Sequence, residues 1–199
     1  MKHVALIILG LAMASMAAVA QGRAAGAAAE PPPLAPGASQ ADVDKALLAA
    51  PANLKNQATV IKWKPDFTYD VLRKGTNRLV CYDRSGFPLQ QPVSVQCTSI
   101  GNLEREAQNL RAEAVGDRKK SEAMLSEMEK NGTRMKPAYG SLWYVVSGPD
   151  LQRLRPHHLT IAVPGATKES TGLPENPREG GAWIMDAGTS TAHIMVPGN

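Results

Sequence analysis

The chain has 199 residues, with 22 Lys and Arg against 18 Asp and Glu and a formal net charge of +4 at pH 7. So even a balance offers no basic face for nucleic acid, and a chain of this length buries a core without a metal or a dense disulfide scaffold. Aromatic residues make up only 5%, so that core must rest on Val, Ile, Leu, Met and Ala.

Residues 1–20, MKHVALIILGLAMASMAAVA, read as a signal peptide: Lys2 supplies the positive start, residues 4–13 the apolar run, and Ala18-Val19-Ala20 the small-residue cleavage site. The apolar run is too short to span a bilayer, and no Cys follows the cleavage point to carry a lipid. The expectation is an exported protein, periplasmic or secreted, cleaved after Ala20, with no transmembrane segment in the mature chain. Residues 21–38 hold seven Ala, four Pro and three Gly without apolar periodicity, which predicts a disordered, PPII-like linker. Residues 39–199 then form a single α+β domain.

Ser39 reads as an N-cap with Asp42 completing an approximate capping box. Val43, Ala46, Leu47 and Ala50 share one face of the short helix that follows, and Pro51 ends it. From Ala58 the texture becomes β-branched and aromatic. Strands are expected over 59–63, 68–72, 78–82 and 93–97, with turns at Lys64-Pro65-Asp66, Lys74-Gly75-Thr76-Asn77 and 84–88. Four strands so spaced suggest an antiparallel meander.

Cys81 and Cys97 are the only cysteines. In an oxidising compartment a disulfide is their default state, contributing about 3 kcal/mol in the chain-entropy model. Two free thiols, or a redox or metal role, are the alternatives. A redox pair more typically has Cys-x-x-Cys spacing, and no metal ligands flank these positions.

Residues 101–130 read as helix interrupted at Gly116, either one bent helix or a helical hairpin. Leu103, Ala107, Leu110 and Ala114 form one stripe, Met124, Leu125 and Met128 another, and Asn131-Gly132 a C-cap. Strands resume over 142–147, 158–163, 182–186 and 192–196. The last two are joined by Gly188-Thr189-Ser190 as a hairpin and preceded by a long loop over 164–181, a length often functional.

Catalytic patterns are sparse. Residues 188–192 with His193 faintly resemble a nucleophile elbow, but the elbow needs a helix after its serine, whereas 193–197 reads as strand. His157 and His158 on a strand would face opposite ways and not readily share an ion. No zinc, calcium, phosphate-loop or dinucleotide pattern occurs, so neither metal nor cofactor is expected. Arg118-Lys119-Lys120 is flanked by Asp117 and Glu122 and reads as a solvated helix face. Asn131-Gly132-Thr133 matches a glycosylation acceptor but reads as a cap. Trp63, Trp143 and Trp183 are expected to pack in the core with their indole N–H groups satisfied.

Several stretches resemble a family of small bacterial exported proteins. They are residues 58–61, Leu72-Arg73-Lys74-Gly75-Thr76-Asn77, Val80-Cys81, residues 181–185 and Ala192-His193-Ile194-Met195. That family has a leader, a Leu-Arg-x-Gly-Thr-Asn turn, two Cys and a terminal His-Ile-Met strand. The resemblance covers 45–100 and 140–199 and departs at Leu79-Val80, where the family often has an aromatic residue before its first Cys. It implies fold and compartment and lends no activity. Function is therefore read from what is missing: with no catalytic constellation, the expectation is non-catalytic binding of a small molecule or an envelope component. The alternatives are a hydrolase or transferase using Asp186, Ser190 and His193, and a structural or stress-protective envelope protein.

Overall fold

A computed structural model describes residues 30–197; the expected leader, residues 1–20, and the first part of the expected linker, residues 21–29, lie outside the described residues. Ser39 accepts a hydrogen bond from the Asp42 N–H and caps α1 (Gln40–Ala46), which tightens into a 3-10 turn over Leu47–Ala49. Val43, Ala46 and Leu47 are buried, as their spacing implies. Pro51 then starts a further short helix, α2 (Ala52–Lys55). The described half of the expected linker is docked rather than loose. Leu34 bridges Arg73, the Ala35 N–H donates to the Leu72 carbonyl at 2.8 Å, and Leu34 and Ala38 pack on the core.

Eight strands form one sheet: β1 (Thr59–Trp63), β2 (Tyr69–Arg73), β3 (Leu79–Asp83), β4 (Val93–Ser99), β5 (Leu142–Gly148), β6 (Arg155–Ala162), β7 (Trp183–Met185) and β8 (His193–Pro197), in the order β2-β1-β3-β4-β5-β6-β8-β7. With its N-terminal helix and helical excursion, this is the α+β fold expected. The meander is corrected at one joint. β2 turns outward to the sheet edge, and β3 lies parallel to β1 on its other side. Residues 74–78 make that crossing over the start of β1, where the Thr76 and Asn77 N–H groups both donate to the Gln57 carbonyl. A Cβ on Gly75 would stand 2.3 Å from that same oxygen, so the turn admits only glycine. Cys81 and Cys97 face each other across the antiparallel β3–β4 ladder and form the expected disulfide.

Side-chain alternation gives the sheet two unlike faces. Val60, Cys81, Val95 and Cys97 point to the face under α1 and make an apolar cluster with Val43, Ala46 and Leu47. Ile61, Trp63, Val80 and Tyr82 point the other way and receive Leu103, Ala107 and Leu110 of α3 (Leu103–Glu113). α4 (Arg118–Lys130) follows a break at Gly116, φ +70°, and its N-cap Asp117 accepts from the Lys120 N–H. Ala114, expected on the buried stripe, is exposed, because the chain is already leaving the helix there; Ala112 is buried instead. α4 seals little: Ser121 is its one buried residue, while Leu125 and Met128 are half-buried and Met124 exposed. Among the described residues, no helix is long and apolar enough to cross a membrane.

The candidate site, a charged trough beneath α4

Beyond the Leu103–Leu110 stripe the α3–α4 pair stands off the sheet and leaves a cavity of about 510 Å³. Its floor comes from the second half of the sheet: Gln96 of β4, Trp143 and Val145 of β5, His158 and Thr160 of β6, and His193 of β8. These are the residues that register places on one face, since Trp143 pairs Thr160, Val145 pairs His158 and Ala162 pairs His193. Its roof is α3, through Arg105, Glu106, Asn109 and Glu113, with Arg134 from the segment after α4. Leu125 of α4 lines this cavity and also two smaller flanking clefts of about 400 and 310 Å³. α4 therefore lies as a bar over a trough that extends to both sides of it.

The walls are charged and buried. Arg84, at the end of β3 and 5% exposed, is ion-paired with Glu113, whose carboxylate also accepts from the Gln90 amide. Burial works against its charge, but Glu106 and Glu113 outweigh this and raise its pKa further. Glu106, 2% exposed, accepts through Oε1 from the Trp143 indole at 2.7 Å and from Asn109 at 3.1 Å. Fully buried Tyr82 donates to Gln96, and burial first, then the Glu106 charge, push its phenol well above the ordinary range. Two polar atoms here have no protein partner although they are out of contact with solvent: Glu106 Oε2 and Arg84 Nε. Buried polar atoms are ordinarily paired, so each such exception calls for a reason.

Arg105 and Arg134 stand together on the other side. Arg105 donates to the Met135 carbonyl and to Thr191 Oγ1, and Arg134 donates to the Arg105 carbonyl and to the side chains of Gln108 and Asn109. All of those acceptors are neutral. Among the described residues, neither arginine has a carboxylate within 4 Å. Burial, and then the like charge of Arg105, hold the Arg134 guanidinium down to about 10; burial lowers Arg105 as well.

The residues singled out at the last hairpin reach the rim of this trough, but not as a triad. Asp186, in the left-handed region at φ +52°, closes β7, and its carboxylate lies 3.8 Å from His193 Nδ1. That nitrogen is also 2.7 Å from the Thr191 carbonyl. Ser190 points elsewhere: its N–H donates to Glu129 Oε1 at 2.7 Å and its hydroxyl to Glu129 Oε2. The carboxylate thus latches α4 to the β7–β8 hairpin. Asp186 and His193 line the trough and Ser190 does not.

Sequence reasoning missed Arg84, Arg105, Glu106 and Arg134. One signal was present: Glu106 falls three residues after Leu103 and four before Leu110, inside the apolar arc of α3. The indole N–H of Trp143 is satisfied as expected. That of Trp63 is buried without a partner among the described residues, because the ring is held edge-on between Tyr69 and Tyr82. No group of three or more His, Cys, Asp or Glu side chains among the described residues is placed to hold a metal ion. Compared with known proteins, the chain matches no protein-family model, no curated protein and no solved structure.

Proposed function

We propose that this is an exported, non-catalytic binding protein that holds a small polar ligand in the trough beneath α4. The observation that carries this is the pair of buried, unpartnered polar atoms, Glu106 Oε2 and Arg84 Nε, in a cavity large enough for a small molecule. A buried charge costs several kcal/mol unless its hydrogen-bonding capacity is filled. A face that served stability alone would be better packed with apolar side chains, as the opposite face is. The disulfide fits an oxidising compartment, and the leader and the family resemblance support export.

Native mass spectrometry of protein recovered from the exported fraction tests this role. The expected result is a small-molecule mass retained in the native spectrum and absent from the denatured one. A Leu125→Trp protein, with the trough filled, should lose that mass while keeping wild-type thermal stability to within about 0.5 kcal/mol, since Leu125 is only half-buried. No bound mass, together with no thermal stabilisation by a metabolite panel, would overturn the binding role. One observation favours the enzymatic alternative, namely that Asp186 and His193 line the same trough. Turnover of the retained molecule, abolished by His193→Ala, would establish that alternative.

A further inference from the structure

The trough holds two kinds of unmet demand side by side. Arg105 and Arg134 are buried cations whose direct acceptors are all neutral; Glu106 and Glu129, and for Arg105 also Asp186, offset their charge only from beyond contact distance. Their remaining N–H groups have no protein acceptor among the described residues. Paired guanidinium groups offer forked donors that match a carboxylate or phosphate. Glu106 is the reverse: a buried carboxylate with Oε1 engaged by Trp143 and Asn109, the Tyr82 phenol close enough to interact with it but turned to Gln96, and Oε2 without a hydrogen-bond partner. A bare anion would satisfy the arginines and be repelled by Glu106 and by Asp186 at the rim. A bare cation would satisfy Glu106 and be repelled by the arginines.

From this we propose, building on the binding role above, that the ligand is a small amphoteric molecule. Its oxyanion lies against Arg105 and Arg134, and an ammonium or hydroxyl group on the same skeleton donates to Glu106 Oε2. Arg84 is already neutralised by Glu113 and takes no part in selecting the charge. The shared chemistry is oxyanion plus donor, whether the oxyanion is a carboxylate or a phosphate.

The test is calorimetric titration of the mature chain with matched probes. These are the ω-amino acids from 3-aminopropanoate to 6-aminohexanoate, the corresponding simple carboxylic acids and alkylamines, and inorganic phosphate. At least one amino acid should bind tenfold or more tightly than both its matched acid and its matched amine. Glu106→Gln keeps an acceptor for Trp143 and should erase the preference over the acid. Arg134→Gln should erase the preference over the amine. The wild-type probe series is decisive even where a variant fails to fold. Phosphate or the simple acids binding as tightly as the amino acids would overturn the donor requirement, and amines binding best would overturn the oxyanion. If no probe binds, the amphoteric assignment fails; a bound mass in the native spectrum would then show that the trough still binds something else.

Discussion

The two faces of this sheet are built to opposite rules. Under α1, Val43, Ala46 and Leu47 meet Val60, Cys81, Val95 and Cys97, each 3% exposed or less, and the buried Arg73 beside them at the sheet edge donates its guanidinium N–H groups to the Lys55 and Ala58 carbonyls. Each apolar group there contributes on the order of 25 cal/mol per Å² removed from water. The face under α3 begins the same way over β1 and β3 and then changes: from β4 to β8 Gln96, His158, Thr160 and His193 surround Trp143 and Val145, roofed by arginines and glutamates. Buried charge of that kind spends stability. The contrast teaches that one face holds the fold together, leaving the other able to carry a costly and chemically specific surface.

The largest expected effect is at the crossing that sets up the sealed half. Gly75→Ala places a methyl 2.3 Å from the Gln57 carbonyl oxygen, a backbone atom with nowhere to retreat, and should destabilise the protein by more than about 4 kcal/mol in urea unfolding. A loss of under about 1 kcal/mol would show that the crossing relaxes. Next comes Leu47→Ala, which opens a cavity in the apolar cluster and should cost about 2–5 kcal/mol. It should leave ligand affinity unchanged, and a parallel loss of affinity would erase the distinction between the faces.

The smallest effect is on the charged side and depends on pH. Burial pushes the Glu129 carboxyl up, but the two hydrogen bonds from Ser190 and the charges of Arg105 and Arg134 outweigh it and hold the pKa below the ordinary value. A carboxyl depressed in this way contributes stability above its unfolded pKa and loses that contribution as pH falls through the lower folded value. The latch from α4 to the hairpin should therefore weaken below about pH 4. Thermal unfolding followed against pH should show a flatter acid limb in Glu129→Gln than in the wild type; identical limbs would mean that the latch carries no charge.

The strands were legible because β-branched runs broken by Gly and Pro state their own boundaries, and Ser39 marked the start of α1; Pro51, expected to end that helix, instead opens α2. Topology was less so. A five-residue step such as 74–78 has the composition of an ordinary turn, and only the close approach of Gly75 to Gln57 distinguishes a crossing from a hairpin. The trough was nearly invisible, since Arg84, Glu106 and Arg134 come from three elements far apart in sequence. Arg105 also sits on the side of α3 away from Leu103 and reads as solvated. It is buried only because the chain after α4 folds back and presents the Met135 carbonyl to it. Ser190 and His193 are near neighbours in sequence, yet their side chains engage different partners.

The docked stretch around Leu34 has a consequence for how the molecule behaves in a crowd. An open sheet ends in two rows of unpaired backbone groups, which invite a second chain to add itself. β7 is short, at three residues, and offers little. β2 is longer and carries exposed Tyr69 and Val71, a partly apolar border. Leu34 and Ala35 occupy its inner end through the bridge to Arg73 and the bond to Leu72. The proline-rich run before them has few N–H groups with which to extend that pairing. The segment thus serves as a selvedge, finishing the border so that it does not catch. A chain trimmed to begin at Ser39 should self-associate through β2 at concentrations where the longer one stays monodisperse, as light scattering would show.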